Sequence, residues 1–161
     1  MNSLDYAVSI KKCTELTEDA LACGLVPFLH SSPGCGKSSI IKAIAKKNGL
    51  KLIDLRLSTI DSVDLSGMPM IDDQKQVDWK PFNVFPLENS KIPEGYNGWL
   101  LFLDEFNSAS EAVIAAAYNV VLDHRIGIYD LHPNCFIACA GNREEDRAIT
   151  TSMGSAMTST L

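Results

Sequence analysis

The 161-residue chain lacks most of the features that mark specialised protein classes. Its five cysteines, Cys13, Cys23, Cys35, Cys135 and Cys139, are odd in number and scattered, with no CxxC pair. The three histidines, His30, His124 and His132, share no metal-ligand spacing. A disulfide framework and a structural zinc site are excluded, no Ser-His-Asp arrangement is legible, and the histidines are left with structural or surface roles. No apolar stretch reaches the roughly 18 residues of a membrane helix, and the N-terminus, with Asp5 early, has no apolar core of signal-peptide length. The expectation is a reduced, cytoplasmic protein with no membrane span. Positive charge is in deficit too. The net charge of -6 argues against a broad basic surface for nucleic acid, and the run Lys42, Lys46, Lys47, Lys51 reads as a solvated helix face. What remains, 46% hydrophobic and 21% charged, is an ordinary globular composition of one-domain length.

The apolar pattern then divides the chain. From Leu4 to Cys23 apolar residues recur near helical spacing before Gly24, which predicts one or two leading helices over residues 1–24. Leu25 to His30 is a short apolar run without helical period, Ser38 to Lys47 returns to helix spacing, and Lys51 to Leu57 reads as a second strand. Ser58 to Trp79, with Gly67, Pro69 and the Asp72-Asp73 turn, predicts a helical turn followed by a hairpin. Lys80 to Tyr96, rich in proline, asparagine and glycine, predicts a loop with a short helix, a candidate moving or contact element. Trp99 to Leu103 and Cys135 to Ala140 have the composition of strands buried on both faces. Ser110 to Leu122 reads as an alanine-rich helix, and Gly127 to Leu131 as a small hairpin. Strands alternating with helices predict an α/β fold with a mostly parallel sheet, over residues 25–161.

The first strand and the following helix bracket Ser31-Ser32-Pro33-Gly34-Cys35-Gly36-Lys37-Ser38. This string matches the phosphate-loop pattern GxxxxGK[ST], the Walker A motif, everywhere except its first position, where serine stands for glycine. Glycines at 34 and 36 let backbone N–H groups turn inward around phosphate oxygens, and a helix that begins here points the positive end of its dipole at the anion. The loop from Ser32 through Pro33, Gly34, Cys35, Gly36, Lys37, Ser38 and Ser39 is the expected binding segment for ATP. Lys37 is assigned to the β and γ phosphates, and the Ser38 hydroxyl to Mg2+. Cys35 reads as a tolerated variable position of the loop.

Trp99-Leu100-Leu101-Phe102-Leu103-Asp104-Glu105 has the apolar-strand-then-acid form of a Walker B motif. Asp104 is the expected magnesium ligand and Glu105 the group that orients or deprotonates the attacking water. Asn142, after the last apolar strand, is placed to reach the γ phosphate and that water. The catalytic set predicted is Glu105, Lys37 and Asn142.

The ordered set of phosphate loop, Leu103-Asp104-Glu105-Phe106-Asn107 and Ala140-Gly141-Asn142-Arg143-Glu144-Glu145-Asp146-Arg147 resembles the MoxR branch of the AAA+ ATPases, over about residues 20 to 161. Leu52 to Ser58 and Asp64-Leu65-Ser66-Gly67-Met68-Pro69 also look like this branch, in which an inserted hairpin leaves the second helix. The resemblance implies a three-layer αβα P-loop NTPase and a sensor-1 role for Asn142. It also implies ATP between subunits of a ring, usually a hexamer, and remodelling of a protein partner, often one with a von Willebrand factor A domain. Two expected parts of that family have no counterpart in the sequence. Thr160 stands where the serine-alanine-led stretch Ser155 to Ser159 would lead to an arginine finger, and the helical lid would follow Leu161. The expectation is a truncated core, 1–161, that binds ATP and Mg2+ and turns it over slowly alone, with Arg143 and Arg147 as possible substitutes for the finger. Two other readings stay open: a binding module in which nucleotide sets conformation with little hydrolysis, and a DNA-handling AAA+ protein of the helicase-loader or clamp-loader type, against which the acidic charge counts.

Overall fold

The structure is a computed structural model that describes residues 9–142. Helix α1, Ile10–Ala22, starts where the Ser9 hydroxyl accepts from the Lys12 amide at 3.2 Å. It ends in paired bonds from Gly24 N to Leu21 O and from Leu25 N to Ala20 O, the Schellman closure. Among the described residues one leading helix forms. Strand β1, Phe28–Ser31, passes through the phosphate loop into α2, Lys37–Lys47, and then β2, Leu50–Arg56. A 3-10 turn, Leu57–Thr59, and the short helix α3, Ser62–Ser66, lead into a hairpin of β3, Met68–Ile71, and β4, Val77–Lys80. After a long loop come β5, Gly98–Asp104, a second 3-10 turn, Phe106–Ser108, and α4, Glu111–Asp123, capped by the Ser110 hydroxyl. A second hairpin, β6, Arg125–Ile126, with β7, Tyr129–Asp130, precedes β8, Cys135–Asn142.

The central sheet has the order β1-β8-β5-β2, with every pair parallel. Strand β5 therefore lies inside the sheet and is covered on both faces, which is why its side chains are apolar in succession rather than alternating. Trp99, Leu101 and Leu103 join Ile137, Cys139, Phe106, Val113, Ala117 and Val120 in one core cluster. Leu100 and Phe102 join Ala138, Ala140, Ile40, Ile41, Ile44 and Leu21 in the other. These clusters put α4 on one face and α1 with α2 on the opposite one, a three-layer αβα arrangement. The two layer helices on the shared face are tied at their ends. Lys47 Nζ pairs with Glu18 at 2.8 Å and Asn48 Nδ2 donates to the same carboxylate at 3.2 Å. The Lys47 bond holds the Glu18 carboxyl below its ordinary range.

The hairpin predicted after the helical turn is present, closed by Asp72, whose carboxylate accepts from the amides of Gln74 and Gln76. Lys80 to Tyr96 is mainly loop, as expected, and the short helix allowed within it does not form. Pro81, Pro86 and Pro93 interrupt the segment, which folds as a series of tight turns, such as Phe85 N to Phe82 O and Ser90 N to Leu87 O, with one bridge from Leu87 to Leu131. Phe85 of this loop is buried in the core and Phe82 stays exposed. The expected small hairpin begins two residues earlier than Gly127, because Arg125–Ile126 supplies its first strand.

Candidate functional site

Because β1, β8, β5 and β2 run parallel, their C-terminal ends lie side by side, and the loops leaving them converge on one edge of the sheet. β1 supplies the phosphate loop there, and β5 supplies the acids. β8 supplies Asn142, which is the strand's last residue, paired opposite Ser31. The sequence placed Asn142 after the strand; the ladder with β1 carries the strand to it.

The phosphate loop turns where the two glycines allow it. Gly34 has φ 79° and Gly36 φ 83°, in the left-handed region that a Cβ disfavours, although a methyl group at either would meet open space. Backbone conformation, not crowding, demands glycine at both. Ser31, the irregular position, has no such demand, since it closes β1 with ordinary φ. Gly36 is the N-cap of α2 and offers no side chain to the helix's first amides, and the first turn carries no acid, so these donors and the dipole end face the loop. Pro33, Gly34, Cys35 and Ser39 are exposed, while Ser32, Gly36, Lys37 and Ser38 are partly buried.

Lys37 Nζ donates to Ser31 O at 3.1 Å, Ser31 Oγ at 3.2 Å, Ser32 O at 3.4 Å and Asn142 Oδ1 at 3.1 Å. The ammonium is thus centred in the loop and touches the last strand across 105 residues of sequence. Ser38 Oγ donates to Asp104 Oδ2 at 3.3 Å, which sets a hydroxyl and a carboxylate side by side beneath the loop. Hard oxygen donors of this kind suit Mg2+, which prefers one or two protein ligands completed by water and phosphate oxygens. Among the described residues there is no group of three or more Cys, His, Asp or Glu that would hold a metal without such help. Asp54, on β2 beside β5, has its carboxyl pushed up by burial and then by the Asp104 charge, opposed by Lys42 and Arg56.

Glu105 follows Asp104 in the left-handed region, φ 54°, an uncommon conformation for a residue with a side chain. Its amide is fixed on Asp104 Oδ1 at 2.7 Å. Ser58 Oγ donates to Glu105 Oε2, and Arg56 Nε lies 3.5 Å from Oε1. The structure therefore brings Lys37 onto Asn142 and Ser38 onto Asp104 as two hydrogen-bonded pairs whose lysine and serine are neighbours at the start of α2, and it sets Glu105 next to Asp104, engaged by Arg56 at the end of β2 and Ser58 in the turn after it. Sequence reasoning assigned no role to Arg56, Ser58 or Asn107, whose side chain donates to Asn142 O at 2.9 Å. Their signal was position alone within the strings Leu52 to Ser58 and Leu103 to Asn107: Arg56 ends β2, Ser58 lies in the turn that follows it, and Asn107 in the turn that follows β5. Arg143 and Arg147, and Thr160 with the stretch before it, lie outside the described residues.

The histidines sit apart from this group. His124 Nε2 bonds the Cys135 carbonyl at 2.8 Å, His132 Nδ1 accepts from Asn134 N and packs on Trp99, and His30 stacks on Phe28.

A parallel αβα sheet with a glycine loop between β1 and α2, a lysine and serine at the helix start and an acid pair at the end of the middle strand defines a P-loop NTPase. Residues 27–151 match the profile of the ATPase family associated with various cellular activities, AAA, and the chain belongs to that family. Among known proteins, midasin of Dictyostelium discoideum is 35% identical over 119 residues, 71% of this chain and 2% of that protein. Midasin of Giardia intestinalis is 29% identical over 126 residues, 78% of this chain and 2% of that protein. The chain thus spans about 2% of the length of these relatives. Two solved structures share the fold. An ATPase candidate from Cytophaga hutchinsonii superposes with a TM-score of 0.62 at 18% identity, over 94% of this chain and 43% of that one. A RuvB point mutant from Thermotoga maritima gives 0.58 at 19%, over 94% and 42%. No helix among the described residues is long and apolar enough to cross a membrane.

Proposed function

We propose that the chain binds Mg-ATP at the converging strand ends and hydrolyses it, as an AAA ATPase core of the MoxR kind that acts on a protein partner. The observation that carries this reading is a pair of hydrogen bonds from adjacent residues at the start of α2, Lys37 to Asn142 and Ser38 to Asp104, which span 105 and 66 residues of sequence. In it Ser32 to Ser39 hold the phosphates through backbone amides, with Lys37 as the mobile charge. Ser38 and Asp104 hold Mg2+, which would screen the developing phosphate charge. Glu105 takes the water proton or orients the water, and Asn142 lies where the γ phosphate and water would meet.

Support for the MoxR branch comes from the strings around Asp104 and Asn142 and from the β3–β4 hairpin that leaves α3. On that reading the core 1–161 works in the cytoplasm within a ring, a hexamer, on a partner such as a von Willebrand factor A domain protein. Hydrolysis by the isolated chain is slow, because Glu105 is engaged by Arg56 and Ser58 and must be released to reach water. This engagement also favours the second reading, in which nucleotide occupancy sets conformation and hydrolysis is minor. Phosphate release by the purified chain, wild type against Glu105→Gln, tests the assignment. The variant is expected to keep Mg-ATP binding and lose turnover by roughly 10²-fold or more, the scale of a general-base contribution. Turnover that Glu105→Gln leaves intact overturns it.

A further inference from the structure

Strand β8 loses its neighbour on the β5 side before it ends. The β5–β8 ladder stops at Leu103 opposite Cys139, whereas the ladder with β1 continues through Ala140, Gly141 and Asn142. The 3-10 turn Phe106–Ser108 takes the place of β5 there, and Asn107 Nδ2 donates to Asn142 O at 2.9 Å, a side-chain bond where the backbone ladder has run out. Asn107 is only 8% exposed, one of two buried polar residues among those described, the other being Thr17.

Its amide lies flat against the strand. A Cβ at position 141 would stand 2.8 Å from Nδ2 and 2.9 Å from Cγ, so Gly141 is what lets Asn107 approach. Facing a carbonyl fixes the amide's orientation with Nδ2 toward Asn142. Oδ1 is then buried and accepts from no donor among the described residues. An amide with an unmet acceptor is poorly suited to a core, where an apolar side chain of the same volume buries at less cost. Stability alone does not account for asparagine here, and the residue whose carbonyl it holds is the one whose side chain reaches Lys37.

We propose that Asn107 is a positioning residue that ties the Glu105 turn to the Asn142 backbone, so that the acid and the sensing amide are held as one piece. The inference rests on the Mg-ATP reading above. The turn is closed by Ser108 N donating to Glu105 O at 2.9 Å. Asn107 sits in the middle of it, and Asn142 Oδ1 accepts from Lys37 on the far side. Asn107 reaches no phosphate position itself and acts through Asn142.

The test is a double-mutant cycle on the full chain, reading Mg-ATP and Mg-ADP affinities by titration calorimetry together with phosphate release. Asn142→Ala is expected to reduce the preference for ATP over ADP. Asn107→Ala should reproduce most of that loss, on the order of 5- to 10-fold, with Mg-ADP affinity kept within about twofold. The double variant should be no worse than Asn142→Ala alone, because a group acting through another adds nothing once that one is gone. Asn107→Asp, of the same shape without the donor, should behave as Asn107→Ala. If Asn107→Ala fails to fold, Gly141→Ala, which displaces the amide from the strand side, should give the same signature. Effects that multiply in the double variant, or an equal loss of ATP and ADP affinity, overturn the inference while the Asn142→Ala effect leaves the ATP reading standing. An Asn142→Ala variant with unchanged preference, or a wild-type chain that binds neither nucleotide, overturns the site assignment and the inference with it.

Discussion

Strand β5 and the β3–β4 hairpin draw on the same kinds of residue and use them oppositely. In β5 six of seven residues are buried, and Leu100, Leu101, Phe102 and Leu103 have no exposed surface. In β3 all four residues are exposed, and across the hairpin Ile71 is 73% and Val77 65% exposed. The register pairs Pro69 with Trp79 and Ile71 with Val77, which places four apolar side chains on one face. The other face, carrying Asp78, is linked to Tyr129 at 3.2 Å. The difference separates two jobs: β5 spends its apolar surface on fixing Asp104 and Glu105, and the hairpin keeps apolar surface that adds little to the chain's own core.

The contrast breaks most sharply at Leu101. Leu101→Ala removes a wholly buried side chain from the core cluster between the sheet and α4 and is expected to cost about 2–5 kcal/mol, a large part of a domain's usual stability, read as a fall in urea midpoint at constant slope. A loss below 1 kcal/mol would mean that β5 is not the rigid element described.

A second, smaller effect comes from the thiols packed beside β5. Burial pushes both Cys135 and Cys139 up to about 12 from the ordinary 9.0. A raised thiol stabilises the fold fully below the unfolded value, because the native state keeps its proton; that contribution is lost as pH climbs from about 9 toward 12. Thermal unfolding across this window should show an alkaline loss that Cys135→Ala combined with Cys139→Ala reduces. In native protein near pH 8, the exposed Cys23 and Cys35 should react with a thiol reagent well before these two.

The smallest effect belongs to the hairpin. Ile71→Ser should change stability by no more than about 0.5 kcal/mol, as an exposed substitution away from packed features does. A loss comparable to Leu101→Ala would place the hairpin's apolar face in the core's energetics.

The same contrast explains what the sequence disclosed. The phosphate loop is eight contiguous residues, and the buried strand before Asp104 is a single apolar run, so both are local patterns. The hairpin was legible from the turn at Asp72 and its flanking residues. Arg56, Ser58 and Asn107 were not, because their contacts join residues 49, 47 and 35 positions apart and depend on the strand order, which no local pattern encodes. Lys80 to Tyr96 was legible as mainly loop, and the short helix allowed within it does not form where three prolines meet a segment anchored by Phe85 and the Leu87 bridge to Leu131.

The central claim is that Lys37 and its loop hold the phosphates of Mg-ATP. Calorimetric titration of the wild-type chain and of Lys37→Ala with Mg-ATP tests it directly. The account predicts saturable one-site binding by the wild type and a loss of roughly 10²-fold or more in Lys37→Ala, the scale of removing one partner of a desolvated charge contact. Equal affinity in the two proteins would contradict it.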